Sequence, residues 1–410
     1  MPRLTTKPTD SINAFDVSIA VFLIGMVSSK ALLGIGMALV CIAALWYYRE
    51  LLMSNRPLLK YFLPPVFIFV ITLISGINSE DTTSWLAFMS KKSPFLLLPF
   101  AFYISREQVA RRYYDYLMAF VVIVAVVSLG VLTNYLMNFE VLNEAIGKGK
   151  SITTPIDHTE YSIFVAFACL VSLFLYTEEK RVVRIGTKGT LIMLSLFLFI
   201  FLHVLAVRSG LAVLYLSAFS MGIYTFFKRR NYKLLIGLLA FLVIAPMIAI
   251  NIVPSLKKKI GYANWDLSQY KEGKGLNYSD SERIYSLQAG VEIFKKNKVL
   301  GTGIGDLKAA CQKIYKQRLN RTLDHFPHNQ ILFALAGMGI IGLCFYLLAA
   351  FLPLISLRGH YDSYFLTLHC VVFLSAMVEN TVERTFSIGF YLFFLLSSIC
   401  YLTRTWGQAK

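Results

Sequence analysis

Runs of apolar residues about as long as a bilayer is thick recur along the chain, and one long polar stretch, residues 255–326, interrupts them. A helix rising ~1.5 Å per residue needs about 20 such residues to cross a hydrocarbon core ~30 Å thick. Backbone amides in lipid must be satisfied within their own segment, so continuous runs of this kind are helices. No alternation of a β-barrel kind is visible. The pattern predicts twelve spans, over residues 14–29, 31–48, 61–77, 84–104, 114–137, 158–176, 189–207, 209–227, 233–254, 328–352, 361–380 and 385–403. The expected fold is an all-α polytopic membrane protein, with residues 1–410 as one integral membrane domain and residues 255–326 as a large loop between spans nine and ten.

Composition agrees. The chain of 410 residues is 57% hydrophobic, with a mean hydropathy of +0.61, which excludes an ordinary soluble protein. The first apolar run has no small-residue cleavage site before the next span, so it is expected to remain as a helix. With the N-terminus cytoplasmic, the short loops on that side hold 19 Lys and Arg, and the opposite short loops hold 5. The cytoplasmic set runs from Arg3, Lys7 and Arg49 through Lys180, Arg181 and Arg184 to Arg404 and Lys410. Both termini are therefore expected inside and the long loop outside. The net charge of +17 is mostly explained by this topology, and no nucleic acid is expected as a partner. The long loop is itself basic, with 14 Lys and Arg against 7 Asp and Glu, which suits phosphate-bearing lipids. Five of the six cysteines fall in spans and only Cys311 in the loop, so neither a disulfide framework nor a zinc ribbon is available.

The loop divides by pattern. Residues 257–278 show no helical periodicity and read as a surface segment. Ser279-Asp280-Ser281-Glu282 has the form of a capping box, with Ile284, Leu287, Val291 and Phe294 recurring on one helical face behind it. Arg283 falls in the first turn, where its guanidinium and free backbone N–H groups can meet the same anion; on this pattern alone a solvated surface arginine is the preferred reading. Gly301-Thr302-Gly303-Ile304-Gly305-Asp306 lacks the spacing and the βαβ setting of a dinucleotide loop, and reads as a tight connection with Asp306 capping a helix to about Arg321. His325-Phe326-Pro327-His328-Asn329 then precedes span ten, with Pro327 suited to a first helical turn. One interfacial capping histidine, a catalytic histidine, and a metal site with Asp324 are the readings open at this point.

Arg208-Ser209-Gly210, Arg283, Val299-Leu300-Gly301-Thr302-Gly303, and His328-Asn329 followed by Gly337-Met338-Gly339-Ile340-Ile341-Gly342 together resemble the O-antigen ligase and polymerase superfamily. Glu379-Asn380-Thr381-Val382-Glu383-Arg384 is similar to that family's acidic element between its last two spans. The resemblance implies a GT-C-type architecture and an inverting glycosyl transfer without metal or other cofactor. The implied donor is an undecaprenyl-diphosphate-linked glycan, and the implied acceptor is a lipid A-core sugar or a second carrier-linked glycan. It also implies the bacterial inner membrane, with the loop in the periplasm. Arg208 and Arg283 would clamp the diphosphate and His328 would activate the acceptor hydroxyl. A leaving diphosphate needs charge compensation, which guanidinium groups supply.

Further polar residues stand beside these three as substrate-binding candidates: Lys91, Lys92, His158, Asn329, His325, Glu379 and Glu383. Lys91 and Lys92 interrupt span four, where a central cation costs about 2.5 to 3.5 kcal/mol on insertion scales. Contact with a lipid diphosphate would explain them, and so would two shorter helices, broken near Pro94, with snorkelling lysines. Asp157, His158 and Glu160 either face the acceptor or cap span six. Glu379 and Glu383 are spaced to pair with Arg384 or the other arginines. His203 and His369 lie deeper, where interhelical hydrogen bonds are expected.

Overall fold

The computed structural model describes residues 12–48, 56–177, 188–230, 232–274, 278–321, 323–359 and 362–408. Of the cations that orient the chain, Arg3, Lys7, Arg49, Lys180, Arg181, Arg184 and Lys410 lie outside the described residues. Eighteen α-helices and no strand occur among the described residues.

All twelve predicted segments are helical. They are α1 (Ala14–Ser28), α2 (Lys30–Tyr48), the bent pair α3 (Leu59–Phe62) and α4 (Val66–Ile74), and α5 (Thr82–Ile104). After the short α6 (Arg106–Arg111) come α7 (Tyr113–Met137), α8 (Phe139–Gly147) on the surface, α9 (His158–Thr177), α10 (Lys188–Leu205), α11 (Arg208–Arg229) and α12 (Tyr232–Ile252). The loop contributes α13 (Pro254–Lys271), α14 (Ser279–Lys296) and α15 (Leu307–Leu319), before α16 (Gln330–Ser356), α17 (Ser363–Val378) and α18 (Thr385–Gln408). Among the described residues, eight helices are long and apolar enough to cross a membrane, or nine counting the bent third segment. The others fall short for visible reasons: α1 and α17 have 15 and 16 residues, and α5 carries Lys91 and Lys92. The third segment bends by 65°, where Pro64 and Pro65 remove two backbone donors. Pro94 does not divide α5, which runs unbroken through Pro94 and Pro99.

Burial separates the central helices from the peripheral ones. In α9, 89% of the most apolar window is buried, and in α18 83%, whereas Leu235–Ile252 in α12 is 6% buried. An apolar helix so exposed is solvated by lipid. Between α9 and α18, Phe164 stacks on Phe390 with centroids 4.7 Å apart, and Phe167 packs edge-on against Phe390 and Phe394. His203 reaches across from α10 to the Tyr215 hydroxyl of α11, 2.7 Å away, as expected, whereas His369 bonds the Phe365 carbonyl of its own helix.

The loop differs from its sequence pattern in three places. Residues 254–271 form a helix, because α13 lies on the protein surface with Ser255, Leu256 and Asp266 turned inward, and so few inward positions leave no apolar periodicity. The capping box does not form: α14 begins at Ser279 after Tyr278, with no capping side chain of its own. Asp266 of α13 serves instead, accepting from the Asp280 N–H at 2.9 Å and the Ser281 hydroxyl at 2.6 Å. Asp306 does not cap α15; its carboxylate accepts from the Glu80 and Asp81 N–H groups at 2.8 and 2.9 Å, tying the loop to the start of α5.

The two glycine motifs meet. Gly339 (φ 66°) breaks α16, and the freed backbone is taken up by the loop: Thr302 N–H donates to Ala336 O, Gly303 N–H to Gly337 O, and Ile340 N–H to Lys298 O, at 2.9–3.0 Å. A Cβ on Gly339 would stand 2.1 Å from the Val299 carbonyl oxygen, and one on Gly301 (φ 68°) 2.4 Å from Gly337 backbone. Irregular backbone at a membrane helix is tolerated where protein supplies its hydrogen bonds, and the loop is thereby fixed to α16.

Candidate functional site

His328 lies two residues before α16. Asn329, not Pro327, occupies the helix boundary: its side-chain oxygen accepts from Leu332 N–H at 3.0 Å, and its amide donates to the Met377 carbonyl at 2.9 Å. The backbone of His328 is further held by its N–H donating to Ser286 Oγ of α14 (3.2 Å). These bonds aim the imidazole at the segment joining α17 to α18, where Glu379 Oε2 lies 3.0 Å from His328 Nδ1.

Glu379 is the hub. Its other oxygen takes the Arg283 guanidinium at 2.6 Å, and Arg384 stands 3.7 Å from Oε2. Its side chain is only 3% exposed. Burial opposes its charge, but the His328 hydrogen bond and the Arg283, His328 and Arg384 charges outweigh burial and hold the carboxyl below its ordinary range. A carboxylate on Nδ1 fixes the ring orientation and leaves Nε2 as the free nitrogen.

Around this pair lies a cavity of about 250 Å³ lined by Arg208, Arg283, His158, His325, His328 and Glu379, together with Lys259, Arg384 and others. Arg208, the first residue of α11, pairs with Asp280 at 2.5 Å and its side chain is 45% exposed. Lys259 of α13 bonds the Gly149 and Lys150 carbonyls at 3.0 and 3.2 Å, and burial together with Arg208 pushes its ammonium below the usual value. Arg384 bridges Asp157 (3.1 Å) and Glu160 (3.5 Å) at the start of α9. Burial opposes its charge too, but Asp157, Glu379 and Glu160 raise it. Asp157 both caps α9, accepting from Thr159 N–H at 2.9 Å, and lines the cavity. Four cations thus face four carboxylates, Asp157, Asp280, Glu282 and Glu379, and the pair with the most exposed cation is Arg208–Asp280.

His325 also lines the cavity, its ring 5.6 Å from that of His328, with Nε2 3.2 Å from Glu282. Asp324 is turned to Lys308 at 2.9 Å rather than to either histidine. No group of three or more His, Cys, Asp or Glu side chains with metal-binding geometry occurs among the described residues.

Lys91, Lys92 and Glu383 are elsewhere. Lys92 is buried, with Nζ 2.7 Å from Glu383 Oε1, 2.6 Å from Val382 O and 3.2 Å from the Tyr346 hydroxyl. All three ammonium donors are engaged, so Lys92 holds the connecting segment to α5 rather than reaching into the cavity. Gln330 joins the same network, donating to Glu383 Oε1 (3.1 Å) and accepting from Val382 N–H (2.8 Å). Lys91 points to a different groove, between α2 and α5. Of the other cavity cations, Arg384 belongs to the acidic element already singled out, whereas Lys259 carries no sequence signal of a site, since it sits among consecutive lysines.

Residues 193–347 match the family model described as O-Antigen ligase. This part of the chain is similar to an O-antigen ligase domain. The matched region contains Arg208, Arg283 and His328, while Glu379 and Arg384 come from beyond it. No curated protein matches the chain.

Proposed function

We propose that this protein is a member of the O-antigen ligase superfamily and an inverting glycosyltransferase of the bacterial inner membrane. In this reading it crosses the membrane twelve times on a GT-C-type fold, with both termini cytoplasmic and the cavity facing the periplasm. Its donor is a glycan on undecaprenyl diphosphate, and its acceptor is a sugar hydroxyl of lipid A-core. The carrying observation is the buried Glu379 shared between His328 Nδ1 and Arg283, which links a base to a diphosphate-binding group through one carboxylate.

The donor diphosphate lies against Arg283 and Arg208, displacing Asp280 from the latter. His328 Nε2 takes the proton of the acceptor hydroxyl as its oxygen attacks the anomeric carbon from the face opposite the phosphate. The new C–O bond forms as the anomeric C–O bond to phosphorus breaks, which inverts that carbon. The electron pair leaves on the diphosphate, whose growing charge the arginines meet, and the proton stays on His328 beside Glu379. His325 is less suited to this role, since its carboxylate partner holds Nε2 and is more exposed.

The test is purified protein in vesicles, given carrier-linked glycan with either lipid A-core or a second carrier-linked repeat. Glycan on lipid A-core is the expected product. Longer carrier-linked chains would make the protein a polymerase acting through the same donor site, and no product with either acceptor would sink the transferase reading.

A further inference from the structure

The groove that Lys91 enters is larger than the histidine cavity, at about 740 Å³, and it is lined by Gly34, Met37 and Ile42 of α2 and by Pro94, Leu97 and other residues of α5. Pro94 helps shape it: without an N–H it leaves the Ser90 carbonyl free, and the Ser93 hydroxyl bonds that oxygen at 2.8 Å instead. Thr385 also lines it, and its neighbour Arg384 lines the histidine cavity, so the connection between α17 and α18 borders both spaces.

The groove is apolar along its length and cationic toward the loop face. Lys30 opens α2 at that end, and Lys91 stands over the Phe88 ring, 5.3 Å from its centroid. No carboxylate lines the groove, and neither lysine has a carboxylate partner among the described residues. From Lys30 to Ile42 the wall rises about 18 Å at ~1.5 Å per residue. That length is close to one leaflet, half of a core ~30 Å thick. A polyprenyl carrier would far overrun it, whereas one bilayer phospholipid fits, with its headgroup at the lysines.

We propose that the α2–α5 groove is a binding site for an anionic phospholipid of the leaflet on the loop face, its phosphate held by Lys30 and Lys91 and one acyl chain laid along Gly34, Ile42 and Leu97. A second copy of the chain is the poorer occupant, because a twofold contact would set these lysines against themselves. The site stands independently of the transferase reading.

Native mass spectrometry of the full chain in neutral detergent, titrated with phosphatidylglycerol and with phosphatidylcholine, tests it. Phosphatidylglycerol is expected to bind more tightly. The double variant Lys30→Gln, Lys91→Gln should weaken it about 25-fold, roughly fivefold per lysine, and leave phosphatidylcholine nearly unchanged. Gly34→Leu should weaken both lipids; a Cβ there meets nothing within 4 Å, so thermal unfolding should be unaltered. Should that variant unfold, the lysine variant alone carries the test. Phosphatidylglycerol binding unchanged by both variants would overturn the site. Tighter, lysine-dependent retention of undecaprenyl phosphate would assign the groove to the carrier, and a change of oligomeric state in Gly34→Leu would assign it to a second copy; either result overturns the phospholipid.

Discussion

Glu379 joins His328 and Arg283 into one hydrogen-bonded unit, and in the proposed mechanism their variants should separate by role. Glu379→Gln should lower kcat about 10- to 100-fold by releasing the ring, with a smaller effect on donor KM. Arg283→Lys should be far from conservative, since an ammonium cannot span both a carboxylate and a phosphate as a planar fork can; donor KM should rise and kcat fall together. Asp280→Asn gives the opposite sign: if the diphosphate must displace Asp280 from Arg208, removing its charge lowers donor KM, and a raised KM would show that Asp280 positions the arginine instead. Glu379 also predicts a pH dependence. A carboxyl held below its ordinary pKa contributes stability that is complete above about 4.3 and is lost as pH falls through the folded value. Thermal unfolding in detergent should therefore decline more steeply below about pH 4 in the unaltered protein than in Glu379→Gln.

At the scale of elements, the site depends on how the 379–384 connection is pinned between α5, α16 and α17. The Lys92–Glu383 pair is the deepest pin, with both side chains nearly inaccessible. Lys92→Met strands Glu383 and should cost about 3 to 5 kcal/mol, whereas Lys92→Met with Glu383→Leu should recover most of the loss. Equal unfolding temperatures for the single and double variants would show that the pair does not act as such. Gly339→Ala forces a Cβ against the Val299 carbonyl and should cost on the order of 3 kcal/mol while loosening the loop from α16. The helices and the loop were legible because apolar runs and a polar interruption need no tertiary information. Arg208, Arg283 and His328 were legible only through family resemblance, since an arginine in a first turn looks the same on a bare surface helix. Asp266 capping a helix that starts 13 residues later, Asp306 bonding the start of α5, and Lys259 joining the cavity were not legible. Each depends on segments brought together by folding, and no local spacing encodes that.

For the whole molecule, the cavity lies on the loop face, bounded by α9, α11, α13, α14 and the α17–α18 connection. Membrane helices thus supply Arg208 and His158, the loop supplies Arg283 and His325, the lead-in to α16 supplies His328, and the connection supplies Glu379 and Arg384. In the proposed reading, this division would let a lipid-linked donor approach from the bilayer while an acceptor sugar enters from above. The most direct measurement is the single-turnover rate of glycan transfer from undecaprenyl diphosphate to lipid A-core by purified protein in vesicles, with and without His328→Ala. If His328 is the base, the unaltered protein transfers glycan and the variant does so about 10²- to 10⁴-fold more slowly at saturating donor; transfer at an undiminished rate in His328→Ala would rule that role out.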